Sequence, residues 1–379
     1  MAVSMKNQQM YLSEDLIIQE ILTRLPIKSV LRFKSVSKQW YATLSSSDFA
    51  NAHLLKSPFS HPNAPVNSLF IMGFENHCYL FSYNDEEIPD NYKDNLVEIT
   101  EFDGLEDRLT LTGCCNGLIC LSEVSSKCSK YFILWNPATR KLHKYESDGY
   151  LERFDAQTRP CVSSGFGYAS SVDDYKYVRI LTNDWGCPNF SIVHIFSLKE
   201  NRWRKIDFGH DAVLLFRHAV LVGEKLYWAA YRTETGHLIV SFDLGVERFD
   251  VIKIDWDESD FLVNMGGCLS KCNYSQRFVG DNFIHVLEPP SIVKSIALPE
   301  GLKLDVTSKT VGFTKTDKIF VTGLFIDNQM DLNTTLGVVD TRTEPVQYTT
   351  LLRFNECVKI IRYFSSLIAP FPYAEPSEA

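Results

Sequence analysis

Basic charge is scarce in this chain. Its 379 residues carry 38 Lys and Arg against 47 Asp and Glu, a formal net charge of −9. Residues 1–56 hold seven Lys/Arg and four acids, so this segment stands at +3 and the remainder at −12. An acidic body of that kind excludes broad affinity for nucleic acid or an anionic membrane, because phosphate binding rests on clustered cations. Long apolar runs are also missing. None approaches the roughly 18 residues that a membrane-spanning helix needs. The opening MAVSMKNQQMYLSEDL is polar and does not read as a secretory signal, so a cytoplasmic or nuclear location is expected. The ten cysteines include no C-x-x-C pair, and none of the nine histidines has another four residues away. Zinc is therefore not expected, and free thiols in a reducing compartment are. No G-x-x-x-x-G-K phosphate loop and no G-x-S-x-G nucleophile elbow occurs. Acids such as Asp173, Asp174, Asp184, Asp255 and Asp257 sit in turn-like contexts, where aspartate is simply a good turn former. No catalytic residue, metal or cofactor is assigned.

What is present divides at about residue 56. In the N-terminal part, Ser13 suits a helix cap, with Glu14 and Asp15 complementing the dipole of the first turn. Ile17, Ile18, Ile21, Leu22 and Leu25 then form one helical stripe, which Pro26 ends. A short second helix through Val30 and Leu31 and a third bearing Val36, Trp40 and Leu44 follow. Three short helices bury little, and these carry more apolar surface than so small a bundle hides. A second protein is expected to cover the surplus. Arg32, Lys34 and Lys38 read as a solvated rim rather than a phosphate grip, since aromatic interleaving is absent.

The residues from Leu12 to Phe49 resemble an F-box. The matching motifs are Asp15-Leu16, Glu20-Ile21-Leu22, Leu25-Pro26, Leu31-Arg32-Phe33-Lys34, Val36-Ser37-Lys38 and Trp40. The chain departs from the family at Ser13, where a first proline is usual. The resemblance implies docking on a Skp-type adaptor and, through it, on the cullin and RING subunits of a ubiquitin ligase. It carries over Leu12, Leu16, Ile21, Leu22, Leu25, Pro26, Leu31, Val36 and Trp40 as adaptor contacts. Plain helix packing is the competing reading for each, and for Ile21 and Leu22 the two are even.

Beyond residue 56 the helical period stops, and short β-branched and aromatic runs alternate with turn residues. Four hairpins align: ILWNPATRKLHK from Ile133, VHIFSLKENRWRKI from Val193, IVSFDLGVERFDVI from Ile239 and LGVVDTRTEPVQY from Leu336. Each holds an apolar residue, a small polar or acidic one, and a second apolar residue seven after the first. The pairs are Trp135/Leu142, Phe196/Trp203, Phe242/Phe249 and Val339/Val346. Their starts lie 61, 46 and 97 residues apart, the last gap holding a degenerate copy near Ile284–Leu287. A period of roughly 45–50 residues is that of four-stranded propeller blades. Five blades fall between about 107 and 350. Pairing the strands at 69–83 with those at 357–367 makes a sixth from the two ends and removes two open edges. A β-sandwich is the alternative.

GCCNGLICLS, the NPATR turn at 136–140, GFGY at 165–168 and VHIFSLKENRWRKI are similar to the plant type 1 F-box-associated domain, with kelch-like character. S-locus F-box proteins share this layout. The expected organisation is α+β and multidomain: a three-helix F-box (10–55), a linker (56–68), an all-β, six-bladed kelch-like propeller (69–368) and a disordered tail (369–379). The expected function is that of a non-catalytic receptor, the propeller holding a protein target for ubiquitination and degradation. The alternative is an adaptor-bound module that sequesters its target or recognises a glycan. Loops at one end of the propeller are the expected target face, with Tyr92, Tyr150, Trp185 and Trp256 as its candidate aromatics.

Overall fold

A computed structural model gives the fold and describes residues 12–57, 68–73, 76–84, 91–99, 108–123, 130–149, 161–182, 191–210, 212–215, 218–232, 234–255, 260–273, 283–288, 291–299, 310–326, 332–343 and 345–371. Four α-helices come first: α1 (Glu14–Leu16), α2 (Ile27–Phe33), α3 (Lys38–Ser45) and α4 (Ser47–Lys56). Serines start three of them. The Oγ of Ser13, Ser37 and Ser46 accepts from the backbone N–H of Leu16, Trp40 and Phe49, which satisfies donors that a helix start leaves open. The fourth helix is an addition to the three read from the sequence. Its short apolar face (Phe49, Ala50) carries a weak period, and His53 belongs to the buried side, donating from Nε2 to the Leu25 carbonyl at 2.8 Å.

Between α1 and α2 the helix changes pitch. Ile17–Ile21 forms a π-turn, in which the Leu22 N–H reaches the Ile17 carbonyl, and Leu22–Arg24 tightens to a 3₁₀ turn. The wide turn shifts the phase of the apolar stripe. Ile21 and Leu22, neighbours on one predicted face, are split: Ile21 is 43% exposed and Leu22 is 2% exposed.

Apart from a 3₁₀ turn at Tyr92–Asn95, every other element among the described residues is β. Blade 1 begins with β1 (Ser68–Met72), β2 (Cys78–Ser82) and β3 (Leu96–Ile99). Blade 2 is β4 (Leu109–Cys115), β5 (Leu118–Glu123), β6 (Tyr131–Asn136) and β7 (Lys141–Glu146); blade 3 is β8 (Cys161–Ala169), β9 (Asp174–Thr182), β10 (Ser191–Ser197) and β11 (Arg202–Ile206). Blade 4 is β12 (Val213–Leu214), β13 (Val220–Val222), β14 (Lys225–Arg232), β15 (Gly236–Asp243) and β16 (Arg248–Ile252). Blade 5 is β17 (Asp260–Met265), β18 (Cys268–Asn273), β19 (Phe283–Glu288) and β20 (Ser291–Ala297); blade 6 is β21 (Thr310–Phe313), β22 (Ile319–Ile326), β23 (Leu332–Asp340) and β24 (Gln347–Phe354). The last strand, β25 (Lys359–Arg362), returns to blade 1 and pairs antiparallel with β1, Phe70 facing Ile361. The innermost strands β25, β4, β8, β13, β17 and β21 touch in that order, and β21 touches β25. The ring is a six-bladed propeller closed by both ends of its chain, as the edge argument anticipated.

The repeat in the sequence has a physical cause. In three blades the small polar residue after the first apolar one folds the turn: Asn136 Oδ1 accepts from the N–H of Ala138 and Thr139, Asp243 Oδ1 from those of Gly245 and Val246, and Ser197 Oγ from that of Glu200. The turn closes with a residue at positive φ in each case, Arg140, Glu247 and Asn201. Trp135 then faces Leu142, Phe196 faces Trp203, and Phe242 faces Phe249. The fourth pair is corrected. Val339 faces Tyr348, not Val346, because the strand resumes only at Gln347. The degenerate copy is the β19–β20 hairpin, whose register slips at Val286/Leu287.

A partly buried ionic cluster, with Arg179 and His194 inside, braces blade 3. Asp148 receives Arg179 Nη2 at 2.5 Å and His194 Nδ1 at 2.5 Å, and the Arg179 guanidinium lies 4.7 Å from the Trp203 ring centre. Burial alone would raise the Asp148 pKa, but the His194 hydrogen bond and the Arg179 charge outweigh it and hold the carboxyl well below the usual range. A carboxyl depressed in the folded state adds stability above its unfolded pKa of about 3.9, and that stability is lost as pH falls towards the folded value. Asp148→Asn is therefore expected to lower the melting temperature at pH 7, with the gap to wild type narrowing steadily below pH 4. A constant gap across thermal melts from pH 7 to pH 2.5 would show that the charge is not what matters.

Candidate functional site

The helical module sits on the propeller through one continuous apolar cluster. Leu22, Ile27, Val30, Leu44, Phe49 and Ala50 from the helices join Leu118, Cys120, Phe132, Leu134, Leu367 and Ile368 from the propeller side. The tail beyond β25 is the mortar. Asn136, fully buried, donates from Nδ2 to the carbonyls of Ser366 (3.0 Å) and Ile368 (2.7 Å), and the Tyr145 hydroxyl donates to the Pro370 carbonyl at 2.6 Å. Pro370 is thus buried, and Phe371 lies edge-on to His143. Residues 372–379 of the expected disordered tail lie outside the described residues. At the C-terminal end of α2, burial lowers the Lys34 pKa and nearby Lys141 lowers it further.

Part of the module's apolar surface is sealed against the propeller, and other apolar side chains are bare. Leu12, Leu16 (51% exposed), Ile21, Phe33, Val36 (59% exposed) and Tyr41 (61% exposed) are open to solvent. Large apolar side chains that a small module leaves uncovered mark an interaction surface. Phe33 and Tyr41 were not among the contacts carried over from the sequence. They fall off the 3.6-residue stripes, and only their position beside Leu31 and Trp40 hinted at them.

The other carried-over residues divide. Leu22 is corrected to a core residue, because the π-turn rotates it under the helices. Leu25 and Leu31 are half-buried against the same cluster, and Pro26 is exposed at the start of α2. Trp40 is half-buried and serves the module's own geometry: its Nε1 donates to Glu14 Oε1 at 2.7 Å and its ring stands edge-on to Phe33, centroids 5.9 Å apart. Gln39 Nε2 donates to the other Glu14 oxygen at 3.3 Å. These bonds clamp α1 onto α3.

The rim aromatics gave less. Tyr92 opens a 3₁₀ turn (Tyr92–Asn95) and stacks on Tyr83, centroids 6.3 Å apart, against the cluster shared by blades 1 and 6. It packs against this cluster rather than standing free. Tyr150, Trp185 and Trp256 lie outside the described residues.

The chemistry of the thiols is quiet. Burial pushes Cys115 up to about 12 and raises Cys114, Cys120 and Cys272 as well, so these stay protonated and weakly nucleophilic at neutral pH. Among the described residues, no three His, Cys, Asp or Glu are grouped to hold a metal ion, and no helix is long and apolar enough to cross a membrane.

Comparison with known proteins agrees with this layout. Residues 14–51 match the family model for the F-box domain, and residues 67–332 match that for the F-box associated beta propeller domain. An F-box/kelch-repeat protein of Arabidopsis thaliana is 30% identical over 268 residues, covering 68% of this chain and 71% of the relative. F-box protein CPR1 of the same plant is 28% identical over 291 residues, 69% of this chain and 67% of the relative. Among solved structures, a fucoside-bound Aleuria aurantia lectin overlaps 83% of this chain and 99% of its own, at 10% identity and a TM-score of 0.40. The Dos1 propeller covers 78% of this chain and 69% of its own, at 9% identity and a TM-score of 0.37. Helical module and propeller together place the chain in the family of F-box proteins that carry an F-box-associated β-propeller domain.

Proposed function

We propose that this chain is the target receptor of a Skp–cullin–F-box ubiquitin ligase. The bare face of Leu12, Leu16, Ile21, Phe33, Val36 and Tyr41 docks on a Skp-type adaptor, which links it to cullin and RING subunits. The propeller holds a protein target by the loops at one end, and the target's lysines receive ubiquitin from the RING-bound enzyme, so the chain itself needs no catalytic group. The observation that carries this reading is the division of apolar side chains on one small module into two sets. One is fused to the propeller through a shared core, and the other is apolar and uncovered. A receptor needs that arrangement, because a rigid mount fixes the distance from adaptor to target. Tyr150, Trp185 and Trp256 stay as proposed target contacts; Tyr92 is packed on Tyr83 instead.

Affinity purification of the full chain from cells with the proteasome blocked tests the receptor role. Adaptor, cullin and at least one ubiquitin-bearing protein are expected with the wild type. With Leu16→Asp/Val36→Asp, the third protein should remain, without ubiquitin and without the adaptor. A bound protein that carries no ubiquitin in either preparation would instead favour sequestration.

A further inference from the structure

The apolar side chains left bare on the F-box fall into two groups along the chain. Leu12, Leu16 and Ile21 precede Pro26, and Phe33, Val36 and Tyr41 follow it. The first group starts on weak ground. α1 is a single turn with no buried residue, and a helix so short does not hold its shape alone in water. Ser13 enters it at φ −61°, the angle a proline ring would lock, without the ring. Past α1 the chain is anchored, since Ile17 and Ile18 pack on the core shared with the propeller and Lys56 Nζ donates to the Gln19 carbonyl. Leu12 and Leu16 lie before that anchor.

Glu14 ties them down. Its two carboxylate oxygens reach α3, Oε1 accepting from Trp40 Nε1 at 2.7 Å and Oε2 from Gln39 Nε2 at 3.3 Å. Among the described residues, these are the hydrogen bonds that join α1 to α3. Trp40 also stands edge-on to Phe33, so one indole connects both groups. Its N–H meets the carboxylate two residues before Leu16, and its ring meets Phe33. Both hydrogen bonds are exposed to solvent, where such a bond adds little to global stability.

We propose that Glu14 is a positioning residue for adaptor docking: through Trp40 and Gln39 its carboxylate holds α1 so that Leu12 and Leu16 share one continuous surface with Phe33, Val36 and Tyr41. A partner that meets an aligned surface does not have to order α1 as it binds, and the ordering entropy it avoids appears as affinity. Glu14 does this without touching the adaptor. This inference rests on the receptor reading and names a residue that sets how well the receptor docks.

The test uses the full chain and purified Skp-type adaptor, with affinity from titration calorimetry and a thermal melt of each variant. Glu14→Ala is expected to bind about tenfold more weakly, at an unchanged melting temperature. Glu14→Gln is expected to recover wild-type affinity. The new amide accepts from Trp40 with its oxygen and donates to the Gln39 oxygen once that side-chain amide turns over. In a Leu12→Ala/Leu16→Ala chain, which has no large apolar side chain left there to position, adding Glu14→Ala should change nothing further. Equal affinity of Glu14→Ala and wild type would overturn the inference while leaving the receptor reading intact. So would a failure of Glu14→Gln to recover binding, or a Glu14→Ala loss that persists undiminished in the alanine background. A wild-type chain that does not bind the adaptor at all would remove the receptor reading, and this inference with it.

Discussion

Leu16→Asp/Val36→Asp is expected to weaken adaptor binding by roughly 4 kcal/mol, about a thousandfold, without unfolding the chain. Both side chains are more than half exposed, so the folded state loses little when they change. In a complex of standard size the same side chains are desolvated, and a buried carboxylate with no partner is costly. Leu16→Asp also adds an acid near a helix start, which the helix dipole favours, so destabilisation cannot stand in for lost binding. Trp40→Ala is a poorer probe. It removes the hydrogen bond to Glu14 and the edge contact with Phe33, so a loss of binding there would mix interface with fold. Titration calorimetry against purified adaptor, with a thermal melt of each variant, separates the two. Retained affinity in the double variant would move the adaptor to a different face.

The largest expected loss of stability from one side chain is at Asn136. It is buried within the blade 2 turn, and each end of its amide is used. Oδ1 accepts from two turn N–H groups, and Nδ2 donates to the carbonyls of Ser366 and Ile368. Asn136→Ala strands those groups in a dry interior, where each unsatisfied polar group costs about 1–3 kcal/mol. Partial relaxation leaves an expected loss of about 3–5 kcal/mol, at the extreme of single substitutions. The effect should spread. Leu367 and Ile368 belong to the cluster under the F-box helices, so amide exchange there should quicken along with the loss of the urea midpoint. A change below about 1 kcal/mol would mean that the tail is held by its apolar contacts alone.

The legible parts of this molecule were those with local causes. The hairpin repeat was visible because its turn is built from adjacent residues, a capping Asn, Ser or Asp and a closing residue at positive φ. Ring closure by the two termini was inferred from a leftover strand at each end. The Val339 hairpin was misread by two residues because its turn is longer, and alternation alone does not show where a strand resumes. The F-box resemblance carried Leu22 over as an adaptor contact together with Ile21, with helix packing an even alternative for both; the π-turn that separates them has no mark in the sequence. Phe33 and Tyr41 were missed for the converse reason. Their exposure follows from how α2 and α3 pack on blade 2, a long-range contact.

The proposed role is that the F-box face carries a propeller-bound protein to a ubiquitin ligase. The decisive measurement is the half-life of a propeller-bound protein, in cells that express either the wild-type chain or Leu16→Asp/Val36→Asp at equal level. A short half-life with wild type, extended by the double variant and by proteasome inhibition alike, is the predicted outcome. Equal half-lives with the two chains, while the variant has lost the adaptor, would contradict it.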